Sequence, residues 1–153
     1  MSDTYYKAIR PDGTSFHDPE FHWATEPGGI TTHPTSRGDG AASYLSVATV
    51  PTACTGVRWP CRLLEVEPVS DAWTPEPHYL PYKRAGAAFR TVRELPAHDA
   101  LGPQGAHVAA FIERASRITG DEAELLAAAR GAARDAAWDA ARDAAWDAAR
   151  DAA

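Results

Sequence analysis

The pattern of apolar and polar positions changes character once along the chain, near residue 104. Before that point apolar residues come in short runs that alternate with polar ones, punctuated by proline and glycine. Residues 4–10 alternate and are rich in aromatics. Pro11-Asp12-Gly13 then closes the run as a turn, and residues 14–17 are the expected returning partner of a hairpin. Residues 43–50 are apolar and β-prone, with a short helix as the alternative. Residues 61–69 give the clearest strand, in which Cys61, Leu63, Glu65 and Glu67 share one parity and Arg62, Leu64, Val66 and Pro68 the other. Residues 87–95 give the next, where Phe89 and Val92 need a slight irregularity to share a face. Residues 24–42, with Pro27, Gly28, Gly29, Pro34, Gly38 and Gly40, are expected to be a surface loop. Residues 71–81, with Trp73, Pro75, Pro77 and Pro81, are expected to be a rigid connection.

All twelve prolines lie at or before Pro103, so everything beyond can be helical. Gly102-Pro103 opens a helix over 104–118, with proline in its favoured early position. Val108, Phe111, Ile112, Ala115 and Ile118 recur at helical spacing and predict that this helix lies on the sheet through that stripe. A second helix starts at Asp121, where Glu124 three residues on completes the outline of a capping box. The expected fold class is α+β: a small, mostly antiparallel sheet covered by a helix, followed by a long alanine-rich C-terminal helix. The expected domains are residues 1–120 and residues 121–153.

The last helix carries a four-residue beat. Arg130, Arg134, Trp138, Arg142, Trp146 and Arg150 recur every fourth position, and each from Arg134 on is followed by aspartate. Nearly all the rest is alanine, the best helix former, so a rod of about 50 Å is expected. Four residues advance a helix by about 400°, so the stripe drifts about 40° per step. A left-handed coiled coil needs a period of 3.5, on the other side of 3.6, and a heptad zipper is excluded for these residues. The spacing instead sets Arg134, Trp138, Arg142 and Trp146 as successive neighbours, suited to guanidinium–indole contacts. It also predicts ion pairs from Asp139 to Arg142 and from Asp147 to Arg150.

Charge narrows the function classes. The chain of 153 residues has a net charge of −6, and residues 121–153 account for −4 of it. A nucleic-acid binder relying on a broad basic field is excluded. No run approaches 18 uncharged apolar residues, and the rod has no lysine and no large aliphatic face after Leu126, so no membrane partner is expected. The first residues carry neither a basic cluster nor an apolar run, which points to the cytoplasm. Cys54 and Cys61 flank a turn and are expected as free thiols there, a small disulfide ring being the alternative.

Candidate chemistry is sparse. His17 and His22, with Asp18 and Glu20 between them, supply part of a metal site, but no second cluster has the spacing to complete it, so no metal is expected. Arg37-Gly38-Asp39 in the glycine-rich segment is expected to be turn chemistry. Phosphate-loop, dinucleotide and hydrolase-elbow motifs do not occur. Arg10, then Ser46 and Thr49 in an apolar segment, then Glu65-Val66-Glu67 follow an order that resembles ADP-ribosyltransferases. That resemblance implies NAD as substrate, with Arg10 toward its phosphates, Ser46 shaping the pocket and Glu67 positioning the ribose. The alternative for these glutamates is the solvated face of a strand, paired across to Arg90 or Arg93.

A second resemblance covers residues 5–118. Residues 44–49, 55–69 and 92–96, and above all Arg58-Trp-Pro-Cys-Arg-Leu63, resemble an uncharacterised conserved domain of actinobacterial and phage proteins. It implies a stand-alone cytoplasmic domain and transfers no activity. The leading expectation is a non-catalytic binding or assembly module that uses no cofactor. Its C-terminal helix would mediate self-association or capture of a protein partner. Trp138 and Trp146 are the anchors, and Arg134, Arg142 and Arg150 set polar register. The alternative is an NAD-consuming transferase.

Overall fold

Strands form where aromatic and β-branched residues alternate with polar ones. In a computed structural model that describes residues 3–34, 43–75 and 80–151, they are β1 (Tyr5–Ile9), β2 (Ile30–Thr32), β3 (Leu45–Ala48), β4 (Arg62–Pro68), β5 (Ala72–Trp73), β6 (Lys83–Gly86) and β7 (Ala88–Leu95). Two helices follow among the described residues, α1 (Gly105–Ala115) and α2 (Gly120–Asp151), and Pro51–Ala53 and Ala97–Leu101 form 3-10 turns. The fold is α+β, and by contacts the chain divides into Met1–Ile112 and Glu113–Ala153.

All seven strands pair antiparallel in the order β2-β7-β4-β1-β3-β6-β5. Only Ala87 separates β6 from β7 in the chain, yet β3, β1 and β4 lie between them in the sheet. Four strand spacings would put them about 19 Å apart in a flat sheet. Gly86 and Ala88 can be at most about 7 Å apart. The sheet therefore rolls up, and the bent ribbon β6–β7 closes it. At the bend the Phe89 ring lies over Gly86, so close that a Cβ there would come within 2.7 Å of the ring. Val69 donates its backbone N–H to the Ala88 carbonyl at the same corner.

Rolling defines an inside. Tyr5, Ile9, Leu45, Val47, Leu64, Val66 and Phe89 fill it, with Trp23 packed against them from the turn region. Phe89 is the hub, meeting Tyr5 edge-on with centroids 6.2 Å apart and Trp23 at 6.4 Å. Thr31 and Thr91 are buried and hold the Trp23 segment, donating to or accepting from Ala24 backbone atoms.

Several expectations shift in detail. Both parities of β4 are buried at Leu63 and Leu64, because the outer face is covered as well. The 3-10 turns pack on each other and against β1 and β4, and they supply that cover. The apolar stripe of α1 does not: Phe111 is 73% exposed, Val108 and Ala115 are exposed, and the buried positions are Gly105 and Ala109. Glycine is required at Gly105, where a Cβ would strike the His98 carbonyl. The irregularity in β7 is a bulge at Val92, since Arg93 faces Glu65 while Thr91 faces Val66. It leaves Val92 exposed and puts Thr91 beside Phe89 in the interior. The segment 24–42 contains an edge strand, β2, paired to β7. The turn at Pro11–Gly13 forms, with the Asp12 carboxylate accepting from Thr14, but residues 14–17 do not return as a strand. Thr14 bridges His22 instead. Arg37-Gly38-Asp39 lies outside the described residues.

Replacing Gly86 by alanine should drive a methyl into the Phe89 ring and cost about 1–3 kcal/mol in chemical denaturation. Gly131→Ala, in open space on α2, should instead raise helix stability by about 0.5–1 kcal/mol, read from the thermal melt of far-UV circular dichroism.

Candidate functional site

Helix α2 is continuous over 32 residues, as its alanine content requires. Its start lies two residues earlier than the capping pattern at Asp121 and Glu124 predicts. Thr119 is the cap: Glu122 donates its backbone N–H to Thr119 Oγ1 at 3.3 Å, and the Glu122 carboxylate accepts from the Thr119 backbone at 2.9 Å. The threonine takes the role because the carboxylate three residues on is also held by the Arg114 guanidinium. These hydrogen bonds, Arg114 first, hold the Glu122 carboxyl below the usual glutamate range.

Along the rod the two indoles stand out in solvent, Trp138 at 74% and Trp146 at 66% exposure. Eight helical residues set them about 12 Å apart along the axis and about 80° apart in azimuth. Among the described residues no aromatic ring or guanidinium packs against either. The arginines of the repeat turn to aspartate instead. Arg142 reaches Asp139 at 3.2 Å and Asp143 at 3.6 Å, and Arg134 reaches Asp135 at 3.3 Å. The Asp139–Arg142 pair is thus the predicted one, whereas guanidinium–indole stacking is displaced by carboxylates that bind the same cations more directly. The side chain of Asp147, the predicted partner of Arg150, lies outside the described ones.

Arg10, Ser46 and Glu67 are not brought together. Tyr5 pairs with Val66 and Ile9 with Arg62, so Glu67 and Arg10 sit beyond opposite ends of the β1–β4 ladder. Six residue steps separate their levels, about 20 Å along the strands. Glu67 is bound to Arg90 at 2.7 Å and Glu65 to Arg93 at 2.8 Å, the cross-strand pairing given above as the alternative. Arg10 reaches Thr14 at 3.5 Å. His17 contacts the Thr55 hydroxyl at 3.3 Å, and among the described residues no three His, Cys, Asp or Glu side chains converge for a metal. Both thiols are free. Burial raises the Cys54 thiol to about 11 and pushes Cys61 up as well, which makes them poor nucleophiles.

One residue with chemical potential escapes the sequence pattern. Lys7 stands between Tyr5 and Ile9 on the inward parity of β1 and is 8% exposed. Its ammonium donates to the Ser46 carbonyl at 3.1 Å and lies 5.0 Å from the centroid of the Trp23 ring. No carboxylate among the described residues pairs with it. Burial, with Lys83 adding repulsion, lowers its pKa to about 8. The signal available in the sequence was a lysine at a position whose i−2 and i+2 neighbours are large and apolar.

Neither a family profile, a curated protein nor a solved structure matches this chain. No helix among the described residues is long and apolar enough to cross a membrane.

The Glu122 contacts carry a pH dependence of known sign. A carboxyl with its folded pKa depressed stabilises above its unfolded value, and that contribution is lost as pH falls through the folded value. Helix content by circular dichroism should therefore hold down to about pH 4.3 and decline below it. Glu122→Gln should lower the neutral-pH content and remove this residue's part of the acid-side decline.

Proposed function

We propose that the protein is a non-catalytic assembly module in which α2 associates with α2 of a second copy. The observation that carries the reading is the solvent exposure of Trp138 and Trp146 within a repeat whose other residues are alanine, arginine and aspartate. Tryptophan is the side chain most enriched among interface residues that dominate binding energy. Alanine lets two helix backbones approach closely, and rows of side chains at i±4 interdigitate at a crossing angle of about −50°. The four-residue beat supplies such rows. Because the stripe drifts round the rod, the contact is a local crossing and not a long supercoil.

A second copy fits better than an unrelated partner because the surface complements itself. From Arg134 arginine recurs every eighth residue and from Asp135 aspartate every fourth, so a two-fold arrangement can set guanidinium groups against carboxylates of the other rod. Two crossing helices bury less than the roughly 1,200–2,000 Å² of a stable interface, so the association is concentration-dependent. Residues 5–118 then form the body that the helix gathers, in keeping with their resemblance to a stand-alone domain. The reading takes the cytoplasm as the compartment, and the free thiols of Cys54 and Cys61 support it.

Sedimentation velocity over a concentration series should show the full chain passing from monomer to dimer. The double substitution Trp138→Ala and Trp146→Ala should leave monomer throughout, with helix content unchanged or higher. A full chain that stays monomeric at every concentration overturns the proposal.

A further inference from the structure

The rolled sheet has a seam. Its β1 and β3 strands are aligned through one pair, Tyr6 with Ala48, although continued pairing would set Ala8 against Ser46. Where the ladder ends, a concavity of about 250 Å³, including the solvent at its mouth, opens between the strands and the segment that follows Pro51–Ala53. Its enclosed part has room for about one water, so an occupant reaches in only with a small group and otherwise sits at the open mouth.

The lining is cationic in an acidic protein. Lys7 and Lys83 both contribute to it, and among the described residues no aspartate or glutamate does. Thr55 adds a hydroxyl, and His17 stands beside it. The His17 imidazole is held below its usual pKa by partial burial and then by the charges of Lys7 and Lys83, which marks the local field as positive. An ammonium has three donors. Lys7 spends one on the Ser46 carbonyl and turns a face to the Trp23 ring, so among the described residues this buried charge has no counter-charge. Buried charges are ordinarily paired, because removing them from water is costly.

We propose that this concavity binds a small oxyanion, a phosphate or carboxylate group. The Lys7 ammonium is its charge partner, Lys83 a second cation, and the Thr55 hydroxyl a neutral donor. The site belongs to the sheet unit and is independent of association through α2.

Inorganic phosphate titrated into the full chain at constant ionic strength, followed by amide and lysine side-chain NMR, tests it. Saturable shifts should appear at Lys7, Ala48 and Thr55, and the titration midpoint of the Lys7 amine should move upward from about 8. Lys83→Gln should weaken binding several-fold and Lys7→Met should abolish it. The half-buried Lys83 carries the test should the Lys7 variant not fold. Acetate producing the same shifts where phosphate does not identifies the ligand class as carboxylate and supports the site. Shifts that fail to saturate with either ion, that chloride reproduces, or that Lys83→Gln leaves undiminished overturn it.

Discussion

A single-residue link governs this fold. Because Ala87 alone joins β6 to β7, the sheet has no flat solution, and the chain must bring its two flanks together at Gly86 and Phe89. Much else follows from that closure. Phe89 becomes the hub of the interior, the inward parity of four strands becomes one apolar cluster, and Trp23 closes that cluster from outside the ladder. The outer face then needs only modest cover, which two short 3-10 turns provide. That leaves α1 with its apolar stripe in solvent.

The seam between β1 and β3 is the counterpart of that closure. Strands bent into a small roll cannot keep every ladder bond, and here the loss falls beside Lys7. Its ammonium takes over a carbonyl that a neighbouring strand would otherwise satisfy. Lysine is an unusual choice for an interior position, since a neutral amide could make the same hydrogen bond without a desolvated charge.

Legibility in the sequence divided along physical lines. The strands at 61–69 and 87–95 and the terminal helix were readable because alternation, β-branching and alanine content are local properties. The antiparallel sense was the simplest assembly of such short pieces. Closure was not readable, since the meaning of a one-residue link depends on which strands lie between, and that is set by pairing far along the chain. An irregularity in residues 87–95 was legible, but the outward turn of Val92, the edge strand inside a glycine-rich segment and the burial of Lys7 were hidden for the same reason. Thr119 shows a subtler case: two overlapping capping patterns were present, and the one that Arg114 also supports is the one that forms. The indoles were legible as members of one four-residue stripe from the repeat alone. Which groups the arginines prefer was not, because competition between a carboxylate and a ring depends on side-chain reach.

The mismatch between a four-residue beat and 3.6 residues per turn makes the tail adjustable in discrete increments. Each added or deleted tetrapeptide changes its reach by about 6 Å and swings the terminal indole by about 40°. Repeats of this kind change copy number without disturbing helix formation, so insertions would re-aim the tip like a vernier while leaving every local contact intact. Nine such increments would restore the original heading.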